Sequence, residues 1–316
     1  MAGLTSAHYL RENGSNPVVY EKSRGIGGRM ATRRHSSEIA FDHGAQYIRS
    51  RSGEFADFLD GFSSVGTAKV WDARARDVAT ADDRSMIVGA PTMNSLLRPI
   101  AAQLDMRLNT TIASISQKGN EVWIVDDQGG GEIFDFVIVT VPVDQARNLL
   151  AGDAQILEQM SDVEIMPCWS LMVAFDEPLQ SEFDQWRYVS DELGWIARNG
   201  SKPDRPSADC WVVHARPEWS RENLEMSKEQ ACESLLGLFE GAMQNDGISL
   251  PVPIHSAAHR WRYAQTLTSM GSSYAASKSG RIVAGGDWAL GARIECAFDS
   301  GMAMARHVAT ALGEPI

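Results

Sequence analysis

The spacing of apolar residues changes several times along this chain, and each change marks an element. Ala7, Tyr9 and Leu10 continue a helix from Gly3 that Asn13-Gly14 stops. Val18, Val19 and Tyr20 then form a short β-favouring run ending on an acid, Glu21. Phe55, Phe58, Leu59 and Phe62 recur at helical spacing, a pattern of core packing rather than of ligand contact. Leu96, Leu97, Ile100, Ala101 and Leu104 make the stripe of an amphipathic helix. Strands are predicted over 108–115, 121–126 and 134–141, with three glycines at 129–131 turning between the last two. The run from Phe136 to Val141 is almost continuously apolar, as a strand covered on both faces should be, and a helix opens at Asp144.

The middle of the chain reads differently. Residues 169–175, 194–198 and 210–215 are strand-like and rich in Trp and Val. Ser227-Lys228-Glu229-Gln230 is a capping box leading into a helix through Cys232, Leu235, Leu236 and Phe239. The 281–288 run is a strand closing on Gly-Gly-Asp, and a helix is predicted from Phe298 onward, with Gly301, Ala303 and Ala305 keeping one face thin. These patterns predict an α/β fold: a doubly wound nucleotide-binding domain from 1–50, 87–145 and 261–316, and a discontinuous α+β substrate domain from 51–86 and 146–260 on a mostly antiparallel sheet.

The chemistry begins at Glu21. An acid at a strand's C-terminal end, after a glycine-led helix, is where a dinucleotide fold grips a ribose hydroxyl. Glu21 lies eighteen residues after Gly3, close to the spacing between the glycine fingerprint and that acid. Met1-Ala2-Gly3 reads as the tail of G-x-G-x-x-G, so the expectation is that a first strand and two glycines, about a dozen residues, are missing. The neighbours of such a strand would be left unpaired and the cofactor weakly held. Lys22 and the turn Gly25-Ile26-Gly27-Gly28 lead to Arg29, Arg33 and Arg34. Glycines there let backbone amides approach a second phosphate, and the Arg29 guanidinium adds a bidentate fork. Phe41-Asp42-His43-Gly44-Ala45-Gln46-Tyr47 follows. At the other end, Asp287 can accept from a ribityl hydroxyl, and a helix N-terminus near Glu295 to Ala297 can stabilise charge gathering on a reduced flavin.

Composition narrows the partners. A net charge of −12 over 316 residues argues against nucleic acid and anionic membranes. Cys168, Cys210, Cys232 and Cys296 are far apart, which argues against zinc and a disulfide scaffold and fits a cytoplasmic protein. No apolar run approaches the length of a membrane span.

Glu21-Lys22-Ser23-Arg24-Gly25, Gly27 to Arg33, Phe41 to Tyr47, Trp261-Arg262-Tyr263-Ala264 and Gly285-Gly286-Asp287-Trp288 together resemble the flavoprotein amine oxidase superfamily, and within it the bacterial renalase-like group. The resemblance implies a glutathione-reductase-type FAD domain and non-covalent FAD. It implies Gly3 at the pyrophosphate, Glu21 with Lys22 at the adenosine ribose, and Gly28 and Arg29 at phosphate. His43, Gly44 and Ala45 would lie beside the flavin, and Asp287 with Glu295 and Ala297 at the ribityl and pyrimidine end. It implies oxidation of isomeric dihydronicotinamides to NAD(P), with oxygen as the final acceptor and hydrogen peroxide released. Hydride transfer needs positioning more than acid–base groups, so no catalytic triad is expected. His43 reads as structural or flavin-contacting, and His214, His255 and His259 as packing residues. Trp261, Arg262, Tyr263 and Trp288 are the candidate substrate wall. The alternatives are an amine oxidase, which often uses a lysine near the flavin, and a cofactor-free relic acting as a binding protein. Lys22, Lys69, Lys118, Lys202, Lys228 and Lys278 all lie outside any convincing buried strand, which weakens the amine reading.

Overall fold

The structure is a computed structural model that describes residues 1–76 and 84–313. Part of the excursion expected over 51–86, residues 77–83, therefore lies outside the described residues. The chain divides into two compact units: Met1–Gly28, Leu97–Ile165 and Thr266–Ile316 form the first, Arg29–Leu96 and Met166–Gln265 the second. Among the described residues no helix is long and apolar enough to cross a membrane.

In the first unit, strand Val18–Glu21 runs parallel to Asp105–Leu108, and Val137–Val139 runs parallel to Ile282–Ala284. These pairs belong to two sheets, so Val18–Glu21 and Val137–Val139 are both edge strands. Alternation shows why the second sheet is stable: Ile282 and Ala284 pack with Val139, Val143, Ala146 and Trp288, while Val283 packs with Leu10, Met304, Ala305 and Val308. Both faces of a parallel strand are buried, which is the doubly wound arrangement. Helix Ala2–Glu12 lies against helix Ile294–Leu312 through small residues. The Ser6 hydroxyl donates to Gly301 O at 2.8 Å, and a methyl on Gly301 would meet Ala2 O at 2.6 Å.

Three predicted elements differ in extent. The 108–115 run divides into Asp105–Leu108 and Ile112–Lys118, because Asn109 turns the chain at a φ of 56° and its N–H bonds to Ser23 O. The second piece joins the antiparallel strands Glu121–Asp126 and Gly131–Phe134. The 134–141 run likewise serves two sheets, ending one at Phe134 and entering the other at Val137. The stripe over 96–104 is a 3₁₀ turn, Met93–Leu97, and a short helix, Arg98–Ala101. Pro99 has no N–H to carry one helix through.

The second unit is built on a five-stranded sheet, in the order Gln185–Arg187, Leu193–Arg198, Asp209–Ala215, Glu164–Phe175, His255–Thr268. The first three neighbouring pairs are antiparallel. Leu171, Val173, Phe175, Trp211 and Val213 face helix Lys228–Asn245 and its Leu235, Phe239 and Met243. That helix starts with the predicted capping box of Ser227 and Gln230. Met172, Ala174, Cys210 and Val212 form the opposite face and pack with Ile39 and Phe41.

The unit boundaries differ from the predicted domain boundaries. Residues 29–50 and 87–96 group with the second unit, partly because Phe41 is wholly buried against that sheet. Residues 146–165 group with the first, where Leu150, Ile156 and Met160 complete the core around Val139 and Ile282.

Candidate active site

The densest cluster of predicted site residues is in the second unit. Burial of Phe41 fixes the short strand Ala40–Phe41 and delivers the next residues, Asp42 to Tyr47, as a turn. Gly44 has to be glycine: a methyl there would overlap Arg29 O and reach within 3.3 Å of the Trp261 ring. The approach it permits is sealed by Ala45 N–H donating to Arg29 O at 2.9 Å. Gly28, at a φ of 53°, turns the chain into Arg29, whose Nη1 donates to Ala264 O at 2.9 Å.

Rings fill the space beside this turn. Trp261 Nε1 donates to His43 O at 3.0 Å, and His214 Nε2 lies 3.2 Å from the same oxygen. The His43 ring is 4.9 Å from Trp261 and 4.8 Å from His259, and His259 is 4.4 Å from Trp261. Burial, then the Arg33 charge and His214, pull the His43 pKa down to about 4. Burial also takes His214 to about 4, and His259, beside His43 and Arg33, to about 3. All three are neutral at pH 7. The Nδ1 atoms of His43 and His259 are buried without a hydrogen-bond partner. His255 instead stacks on His35 at 4.0 Å.

Alternation along the His255–Thr268 strand separates the expected substrate wall. Trp261 reaches the His43 cluster, whereas Arg262 is exposed and forks onto Glu225 at 2.8 and 2.9 Å. Tyr263 is half-buried. Trp288, in the first unit, is wholly buried in the core, its indole N–H on Val141 O at 3.0 Å. It has no surface left to offer a substrate.

Sequence reasoning missed a buried ion cluster behind the turn. Asp42, Lys202 and Arg205 have fully buried side chains. Lys202 Nζ donates to Asp42 Oδ2 at 3.3 Å, Gln46 Oε1 at 3.0 Å and Asn199 Oδ1 at 3.2 Å. Arg205 reaches Asp42 Oδ2 through Nε at 3.1 Å and Nη2 at 2.6 Å. Despite burial, which alone would raise it, the two cations hold the Asp42 pKa down to about 2. The Lys202 pKa also falls, to about 8, because burial and Arg205 outweigh Asp42. One carboxylate is over-served by two cations, and the lysine is the group left short. The signal was present in Asp42, but Lys202 and Arg205 sit in and beside a polar loop with no periodicity.

The first unit holds the remaining predicted residues. Gly3 is the second residue of helix Ala2–Glu12, whose N-cap Met1 makes no side-chain cap hydrogen bond, and the first N–H groups of a helix have no intrahelical acceptors. A methyl on Gly3 would meet Thr140 Oγ1 at 2.7 Å. Glu21 ends its strand with one carboxylate oxygen accepting from Ser23 N–H at 2.8 Å, which orients the group. Lys22 is exposed and donates to Gln145 at 3.1 Å. Asp287 and Glu295 are buried, Asp287 with Thr266 Oγ1 at 3.5 Å, and Ala297 lies in the first turn of helix Ile294–Leu312. An uncapped helix start, a close-packed glycine and an oriented acid at a strand end suit a dinucleotide.

Comparison with known proteins adds the chemical class. Residues 1–62 match the NAD(P)-binding Rossmann-like domain, and residues 55–309 match flavin containing amine oxidoreductases. The chain belongs to the flavin-containing amine oxidoreductase family. This oxidoreductase is 23% identical to renalase of Mus musculus over 294 residues, covering 85% of this chain and 84% of renalase. It superposes on a provisionally assigned protoporphyrinogen oxidase from Exiguobacterium sp. with a TM-score of 0.76 at 12% identity, covering 99% and 97% of the two chains. That likeness establishes the fold. Family membership implies a flavin cofactor, and the first unit's residues fit it.

Proposed function

We propose that this oxidoreductase is of renalase type: it binds FAD non-covalently and oxidises isomeric dihydronicotinamides, those carrying the hydride at a ring position other than C4, to NAD(P). The observation that carries the reading is the neutral ring cluster of His43, His259 and Trp261 beside the Gly44–Arg29 turn. Such a surface positions a flat ring, and its histidines, with pKa values pulled down to about 3–4, are only weak bases, which suits hydride loss without prior proton removal.

FAD, when bound, would supply the hydride acceptor and the route for two electrons to oxygen. The protein's part is positional. The N-terminus of helix Ala2–Glu12 would hold the pyrophosphate, Glu21 with Lys22 the adenosine ribose, and Asp287, Glu295 and Ala297 the ribityl and pyrimidine end. Gly28, Arg29, His43, Gly44 and Ala45 would shape the turn that the family resemblance sets beside the flavin. The overall reaction consumes the dihydronicotinamide, oxygen and one proton, and releases NAD(P) and hydrogen peroxide.

One observation favours an amine oxidase instead. Lys202 is buried with a pKa near 8, in a family whose members oxidise amines. Its three hydrogen bonds to Asp42, Gln46 and Asn199 nevertheless commit it to the ion cluster. Anaerobic mixing of the yellow holoprotein with isomeric reduced NAD and with simple amines separates the two. Bleaching by the dihydronicotinamides supports the proposal, and bleaching by amines alone overturns it. A purified protein with no flavin absorbance would point to the cofactor-free relic.

A further inference from the structure

The five-stranded sheet carries one transverse row that the proposed function leaves unused. Arg187 is the direct cross-strand partner of Trp195, Trp195 of His214, and His214 of Ser170. Directly opposed residues share a sheet face, so these four side chains rise from one face, that of Met172 and Val212. The row crosses four strands, on the order of 14 Å at ~4.8 Å per strand. Its two ends differ in chemistry.

At one end stands Arg187. It is half-buried, and among the described residues it has no carboxylate within ion-pair distance. Its guanidinium lies 4.8 Å over the Trp195 ring and 5.3 Å over the Tyr47 ring. Arg49 lies 5.3 Å from that same Tyr47 ring, so two cations converge there in a protein of net charge −12. Along the row, Ser170 Oγ and Trp195 Nε1 are buried polar atoms with no hydrogen-bond partner. Buried orphans of this kind are normally satisfied by something, and here two share a face with a guanidinium that has no carboxylate partner among the described residues. The middle of the row joins the neutral cluster, since His214 contacts His43 O.

We infer that this row is the seat of the substrate's phosphate-bearing arm, with Arg187 as the phosphate anchor and Tyr47 and Trp195 as the rings that hold it. The inference rests on the dihydronicotinamide reading and deepens it. The nicotinamide ring takes the His43–Trp261 end, and the 5′-phosphate extends to Arg187. A partly desolvated guanidinium gains most from a bidentate phosphate. The same positive end disfavours a cationic amine, so it also acts as a specificity element against amine substrates.

The test uses ligands that differ by one phosphate. Nicotinamide mononucleotide and nicotinamide riboside are titrated calorimetrically into the flavin-loaded protein, and into R187M and R187K. In the wild type the mononucleotide should bind at least tenfold more tightly than the riboside. That advantage should vanish in R187M, return in part in R187K, and shrink as salt is raised. Anaerobic bleaching by isomeric dihydronicotinamides is followed on the same samples. Bleaching with equal affinity for the two ligands in the wild type overturns this inference and leaves the functional reading standing. Bleaching by amines alone overturns both. Retention of the phosphate advantage in R187M, with R187M folded by circular dichroism, assigns the anion elsewhere and also overturns the inference.

Discussion

Neutralising Asp42 is expected to be far more damaging than neutralising Lys202, although the two form one buried ion pair. The Asp42 carboxylate accepts from Thr32 Oγ1 at 2.5 Å, Met93 N at 3.0 Å, Lys202 at 3.3 Å and Arg205 at 3.1 and 2.6 Å. A pKa held at about 2 rather than 3.8 means that the fold favours the ionised form by ~2 kcal/mol. Asp42→Asn removes that and leaves two buried cations facing each other, for a loss of ~3–5 kcal/mol. Lys202 is the reverse case. Its pKa falls from 10.5 to about 8, so keeping it charged at pH 7 already costs ~3 kcal/mol. Lys202→Met relieves that cost and leaves three acceptors short of a donor, at ~1–3 kcal/mol in all, so the net change runs from about zero to a gain of ~2 kcal/mol. The double variant should lose less than Asp42→Asn alone. Urea unfolding followed by tryptophan fluorescence measures all three. Trp71 reports locally, because its ring lies 5.3 Å from Lys202 Nζ and its indole N–H donates to Ser201 at 3.0 Å. Equal losses for the two single variants would refute the over-served carboxylate.

Three further outcomes follow from the same geometry. Gly44→Ala, which drives a methyl into Arg29 O, should lower stability by ~2 kcal/mol or more and deplete bound flavin; full yellow colour at an unchanged melting temperature would sink the close-approach argument. Glu21→Ala should weaken FAD binding at least tenfold by removing the oriented acceptor, and an unchanged flavin Kd would show that Glu21 does not reach the ribose. His43 is neutral in the fold down to about pH 4 but protonates near 6.5 when unfolded, so the unfolded chain takes up protons first and stability falls with pH across that window. Between pH 7 and 5 the loss is ~2 kcal/mol for His43 alone. The gap between melting temperatures at the two pH values should therefore narrow in His43→Phe without closing, because His214 and His259, held at about 4 and about 3, keep their own share. Asp42 acts in a lower window: its depressed pKa contributes stability above 3.8 that is lost as pH falls toward 2.

Much of the fold was written in local patterns. The capping box at Ser227, the stop after Glu12 and the strands at 169–175, 194–198 and 210–215 all rest on interactions within a few residues. Where the prediction ran one element too far, at 108–115 and 134–141, apolar content was right and the change of sheet was invisible, since both sheets use the same alternation. The stripe at 96–104 failed because Pro99 interrupts backbone bonding while leaving side-chain spacing intact.

The sequence by itself determined the nucleotide-binding character, because glycines, an acid at a strand end and a helix start act through backbone conformation at fixed spacings. It also determined which segments would be strands and helices, wherever period and caps agreed. The tertiary structure alone decided that Asp42 meets Lys202 and Arg205 some 160 residues away, that Arg187 and Ser170 share one face, and that Arg262 turns outward to Glu225 while Trp288 is buried. Charge pairing, strand register and burial depend on distance in space, and residue spacing along the chain carries no record of them.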